Sequence, residues 1–176
     1  MSEIEVDYDP FLVDGEEFER AGLWDQACYE FELESIEKRT DQEIRGGDYE
    51  GEKYDSLNLR FRATQKAIYD DEGQFTGDIE PATGIRFMEL PVNGPYKKLN
   101  VYGALCERIL GSKDGGMKDS TTGRYSLSDI ADSLIGNRVW NVISHFQYKR
   151  GQRAGQWADS MSNWFPKEPP RKIKIS

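Results

Sequence analysis

Histidine is almost absent: His145 is the only imidazole in 176 residues. That scarcity removes His-based metal clusters, HNH-type nuclease chemistry and most imidazole acid/base schemes, which need several ligands or a second positioned base. Cysteine is nearly as rare. Cys28 and Cys106 stand far apart in apolar surroundings, with no CxxC or Cys/His spacing, so they read as reduced packing residues rather than as a disulfide framework or a zinc site. No run approaches ~18 consecutive apolar residues, and the opening "MSEIEVDYDP" is acidic where an export signal is basic. The expectation is a soluble, cytoplasmic chain without membrane contact.

Catalytic motifs are missing as well. No G-x-x-x-x-G-K-[ST] phosphate loop occurs, and no lysine has an acid two residues before it, the pairing used by many metal-dependent nucleases. The stretch "YDDEGQFTGD" lacks the ligand spacing of a calcium loop, and nothing singles out a glycosidase pair among 32 carboxylates. With no catalytic residue, metal site or cofactor motif, the expected class is a binding module and not an enzyme.

What is present is aromatic content and unevenly placed charge. Aromatics make up 12% of the chain, which argues for an ordered core despite a mean hydropathy of -0.75. The formal charge is -9, but residues 1–59 carry -14, residues 60–137 carry -1 and residues 138–176 carry +6. A basic portion in an acidic chain is the footprint expected of a contact with a polyanion. The alternative is that the basic end neutralises the acidic end within one fold.

The periodicity sets the order of elements. Residues 1–22 read as an acidic arm with one short packed segment around "DPFLVDGEEF". Ala27, Tyr29, Phe31 and Leu33 then alternate with Cys28, Glu30, Glu32 and Glu34, the pattern of a half-buried strand. A second strand, "SLNLRFRAT", sets Leu57, Leu59 and Phe61 against Asn58, Arg60 and Arg62. If the two pair antiparallel, Arg60 and Arg62 face glutamates, so they serve either that pairing or a ligand. "DDEGQFTGDIEPATG" reads as a turn-rich loop and "IRFMELPV" as a third strand. Pro95 suits the first turn of a helix that stops at Gly111, residues 112–125 read as a mobile loop, and Ser126 caps a short helix ending near Gly136.

"NRVWNVISHFQYKRGQRAGQW", residues 137–157, reads as a fourth strand and the loop into a fifth, "QWADSMSNWF". Three strands, a helix and two strands is the order of a five-stranded OB-type barrel with a helix between strands 3 and 4; a three-plus-two sandwich fits the periods too. The domain then spans 23–166, followed by a basic, proline-containing tail, 167–176, that need not fold.

The loop in this stretch carries the functional reading. Lys149, Arg150 and Arg153 surround two glycines, with Tyr148 before them and Trp157 after. Cations that track phosphates and rings that stack on bases are what holds a nucleic-acid single strand. In an OB barrel this loop lines the usual ligand groove, with Arg60 and Arg62 as further groove contacts. Trp140 and Phe146 read as core first, with a ligand-facing position as the alternative. The loop between strands one and two mixes both signs of charge and holds Tyr49 and Tyr54, which points to modest, salt-dependent affinity.

The glutamate-rich "YEFELESIEKR", the "LNLRF" second strand, the helix segment "ALCERILG", the Leu134, Gly136, Asn137 and Val139 strand entry and the closing "SNWFP" resemble a family of small phage-encoded OB-fold proteins, single-stranded-DNA-binding-like and often of unknown function. The resemblance covers about residues 24–166. It implies non-catalytic binding of single-stranded DNA during phage DNA replication or recombination, in the cytoplasm of a bacterial host, with phage or host replication and recombination proteins or other copies of the chain as further partners. Such proteins often end in an acidic tail, whereas this chain ends "RKIKIS". Its acids lie in the N-terminal arm, where they are placed to mimic DNA, so deleting residues 1–22 is expected to tighten DNA binding. A reading from another class is a protein-interaction or virion component that uses its charge asymmetry.

Overall fold

Alternation in the first two strands builds the centre of the molecule. The computed structural model describes residues 9–113 and 119–176. Residues 1–8 of the expected arm and 114–118 of the expected mobile loop lie outside the described residues. Strand β1 (Cys28–Glu43) and strand β2 (Lys53–Tyr69) form a long antiparallel hairpin that places Phe31, Leu33, Leu59 and Phe61 on one face, each fully buried. The opposite face carries an ionic ladder: Arg62 meets Glu32 and Glu34, both at 2.8 Å, and Arg60 meets Glu34 at 3.0 Å.

Among the described residues the chain is mainly β, with six antiparallel strands in one open sheet and three short helices, rather than five strands. The additional strand lies in the segment expected to be a loop. Strand β3 (Phe75–Pro81) pairs with the second half of β2, and strand β4 (Ile85–Pro91) with the first half. β3 escapes pattern reading because it is an edge strand with a mostly exposed face, so it shows no apolar alternation. The break between β3 and β4 holds Gly84 at φ +126°, where a Cβ would stand 2.8 Å from the Trp24 ring. Only glycine lets the indole in.

Strand β5 (Arg138–Gln147) pairs with the start of β1, and strand β6 (Trp157–Phe165) with β5, giving the order β3-β2-β1-β5-β6 with β4 beside β2. Among the described residues no ladder joins β6 to β3 or β4. Side chains bridge that gap instead. The Trp24 backbone N–H donates to Asp159 of β6 at 2.8 Å, Arg86 of β4 forms an ion pair with Asp159, and Phe61 packs on Trp164 with centroids 5.5 Å apart. The sheet is therefore curled, with β2, β4 and β6 sharing one interior.

The described residues also form three helices: α1 (Gly15–Glu19), α2 (Leu99–Leu110) and α3 (Leu127–Leu134). Pro95 precedes α2 by a turn and does not open it, but Gly111 ends it in the left-handed region as its sequence position suggests. Ser126 caps α3 by accepting from the Asp129 N–H at 3.3 Å. Tyr102, Leu105 and Cys106 of α2 and Ile130 and Leu134 of α3 plug the interior of the curled sheet.

The tail packs where the sequence left it free to stay unfolded. Ile173 is 6% exposed and seals a second, smaller cluster of Cys28, Ala67, Trp140 and Val142 on the outer sheet face. Its backbone N–H donates to Gly73 O at 2.9 Å, and Phe75 N–H donates to Arg171 O at 2.8 Å. One isoleucine among lysines and prolines is too weak a pattern to announce a docked segment. Both faces of β5 are therefore buried along its first half: Val139 and Ile143 face the interior, while Trp140 and Val142 lie beneath the tail.

Candidate nucleic-acid interface

The β5–β6 hairpin presents the basic loop. Tyr148 N–H donates to Gln156 O at 3.0 Å and Gly155 N–H to Tyr148 O at 2.8 Å, so the ladder continues past the strand ends and the loop closes over residues 149–154. Gln147 Nε2 donates to Gly155 O at 2.8 Å and braces the same end. Lys149, Arg150 and Arg153 are exposed, and no ion pair among the described residues reaches them. In a chain this acidic, three cations without a carboxylate partner are a local positive site.

Alternation divides the two expected stacking rings. Tyr148 lies edge-on to Phe146, with centroids 5.0 Å apart, and the Arg153 guanidinium is 5.8 Å from the Tyr148 ring. Phe146, expected in the core, is 38% exposed because it lies beyond the part of the outer face that Ile173 covers. Trp157 pairs with Gln147 in register and so points to the opposite face. There its ring is covered by Arg20, whose guanidinium carbon stands 3.5 Å from the centroid. The structure brings together Phe146, Tyr148, Lys149, Arg150 and Arg153, and sets Trp157 apart from them.

Arg20 is the residue that sequence reading missed. It also donates to Ser176 O at 2.8 Å, pairs with Glu16 at 2.7 Å and donates to His145 Nδ1 at 3.4 Å. Because a guanidinium only donates, Nδ1 must accept; the ring proton then sits on Nε2, which donates to Trp24 O at 2.6 Å. His145 is thus a structural clasp. The one signal in the sequence was that Arg20 is the sole base among the first 37 residues.

Arg60 and Arg62 lie in the glutamate ladder described above, and Arg138 extends it, 3.6 Å from Glu30 and 3.7 Å from Glu32. Hydrogen bonding to Glu32 raises the Arg62 pKa. These arginines are neutralised within the sheet, and they do not join the basic loop. The β1–β2 loop is also remote: Cys28 pairs with Val142, so the hairpin loop projects beyond the start of β1, whereas residues 44–52 follow its far end. At that far end a cleft of about 530 Å³ is lined by Arg45, Tyr54, Pro91 and Tyr96, with Tyr49 packed edge-on to Tyr96 at 5.5 Å.

No protein-family model matches this chain, and no curated relative does. The resemblance to phage OB-fold proteins therefore rests on the short motifs quoted above, and the function has to be argued from geometry. Among the described residues no helix is long and apolar enough to cross a membrane.

Proposed function

We propose that the chain is a non-catalytic, sequence-tolerant binder of single-stranded DNA, working in phage DNA replication or recombination, on a barrel of OB type. The observation that carries this reading is the cluster of unpaired, exposed Lys149, Arg150 and Arg153 beside the Phe146 and Tyr148 rings. Cations supply phosphate contacts, and the exposed Phe146 ring beside the half-buried Tyr148 offers a stacking surface worth roughly 1 to 3 kcal/mol per base. The barrel reading draws on strand order: β1 pairs with both β2 and β5, β3 and β4 act as one broken third strand, and helices lie between β4 and β5. Trp24 and the Arg86–Asp159 pair stand where a final ladder would close it.

The binding site in this proposal is narrower than the sequence suggested. Tyr148 and Phe146 form its stacking surface and the three loop cations its phosphate contacts. Trp157 takes part only if Arg20 leaves its face. Fluorescence anisotropy of a labelled oligo-dT of about 30 nucleotides, with a duplex of equal length as control, tests the reading at ~50 and ~200 mM salt. Saturable binding that prefers the single strand and weakens with salt supports it. Absence of binding at the lower salt refutes it.

A second reading, a protein-interaction component, is favoured by a separate observation: the apolar side chains that the N-terminal arm holds in solvent.

A further inference from the structure

Among the described residues of the arm, four large apolar side chains face solvent: Phe11 is 90% exposed, Leu12 77%, Val13 63% and Phe18 71%. A single exposed apolar residue is ordinary, but four within eight positions form a patch. The segment is also held in shape. Phe11 N–H donates to the Asp9 carboxylate at 2.9 Å and Leu12 N–H to Asp9 O at 3.2 Å. Asp14 caps α1 by accepting from the Glu17 N–H at 2.9 Å. Val13 and Phe18 flank that cap at the positions of a hydrophobic staple. Little ordering entropy remains to be lost when such a segment docks.

Acids surround the patch. Asp9, Asp14, Glu17 and Glu19 reach no cation among the described residues, and Glu16 reaches only Arg20. The complementary surface is on the same molecule: Lys149, Arg150 and Arg153, unpaired, around the exposed Phe146 ring and the half-buried Tyr148 ring. The two surfaces lie at the same hairpin on its two sides, since Glu19 lines a cleft with Gly155, Gln156 and Trp157, and Arg20 covers Trp157. Within one copy they do not pair. The arm reaches the hairpin through Arg20, on the face opposite Tyr148, and its apolar side chains stay in water.

We propose that the chain self-associates through a two-fold contact in which residues 9–18 of each copy dock on the Phe146 to Arg153 surface of the other. Mutually complementary patches at one hairpin suit this arrangement, because a two-fold axis lying between them satisfies both at once. The charges give selectivity and speed of encounter, and the phenylalanines supply apolar burial at the centre. The inference goes beyond the DNA reading and does not rest on it. If both hold, a single strand and a second copy compete for the same loop.

The test uses the full chain without DNA, in sedimentation velocity over concentrations up to about 0.5 mM, a range that captures contacts of ~μM to sub-mM affinity. One variant carries Glu17→Lys and Glu19→Lys; another carries Lys149→Glu and Arg150→Glu. Each variant alone sets like charges against like and is expected to stay monomeric. Their equimolar mixture restores both contacts and is expected to form a heterodimer, which also reports that both variants are folded. Phe11→Ser with Phe18→Ser is expected to weaken wild-type association by roughly tenfold or more. The proposal is overturned by a wild-type chain that stays monomeric throughout, by charge-reversed variants that still self-associate, or by a mixture that does not pair although each variant melts cooperatively. Oligo-dT titration of the same Glu17/Glu19 variant reads DNA binding separately, so failure of one idea leaves the other standing or falling alone.

Discussion

Salt dependence separates the loop arginines from the ladder arginines, because it counts cations that are free to meet phosphate. Each phosphate neutralised on a single strand contributes about 0.7 to the slope of log affinity against log salt. Three unpaired loop cations give a slope near -2.1, so raising salt fourfold, from ~50 to ~200 mM, lowers affinity about 18-fold. Replacing Arg150 and Arg153 with alanine leaves one such cation and a slope near -0.7, hence a loss of only about threefold over the same range. Arg60→Ala with Arg62→Ala should leave the slope unchanged, since Glu32 and Glu34 already neutralise both guanidinium groups. Anisotropy titrations of labelled oligo-dT at four salt concentrations measure all three proteins. A slope that stays near -2.1 in the loop variant, or collapses in the ladder variant, refutes the assignment.

The bridge across the open edge should behave as a coupled pair. Arg86 and Asp159 side chains are 16% and 12% exposed, so Asp159→Leu alone strands a mostly buried guanidinium and costs about 3 kcal/mol, whereas adding Arg86→Met recovers most of it in urea melts; additive losses within ~0.5 kcal/mol would falsify the coupling. Ile173→Ala should cost about 2 to 4 kcal/mol and open Cys28 to a thiol reagent that the wild-type fold excludes; unchanged labelling would show that the tail is not the seal. Burial pushes the Cys28 thiol up to about 12 and the Cys106 thiol up to about 11. The unfolded chain therefore loses thiol protons first, and stability should be fully present below pH ~9 and fall by up to ~1.4 kcal/mol per unit and per thiol as pH climbs towards 11. Cys106→Ala should flatten that decline, and an unaltered pH profile would count against thiol burial as its source. Gly84→Ala should destabilise by about 2 to 4 kcal/mol, because its left-handed backbone and the Trp24 ring both reject a Cβ; a neutral melt would show that the indole can move away.

Much of this architecture is legible in the residues. Period-two alternation in β1 and β2 reports which faces are buried, and Ser126 and Gly111 mark helix ends by local hydrogen bonding alone. The Glu32, Glu34, Arg60 and Arg62 ladder follows from two wet faces of opposite sign. What stays hidden is non-local. β3 has no buried face of its own, the docking of Ile173 depends on an apolar patch assembled from β1, β2 and β5, and the cover that Arg20 places on Trp157 joins residues 137 positions apart. Strand parity was readable in principle: Tyr148 and Trp157 follow on opposite faces once Trp157 is paired with Gln147, but that register is set by the loop closure and not by either strand's composition.

An open sheet leaves two margins that foreign strands can join, and the broken third strand has a consequence for one of them. β3 and β4 together flank most of β2, yet Pro81 and Pro91 end the two segments and Gly84 turns the chain between them. Neither piece exceeds seven residues, and Glu80 and Glu89 add charge along the rim. A continuous strand of the same span would offer a long, flat row of unpaired amides and carbonyls. Divided in this way, the margin gives a second chain no extended template, so β2 is partnered along most of its length without creating a nucleus for aggregation.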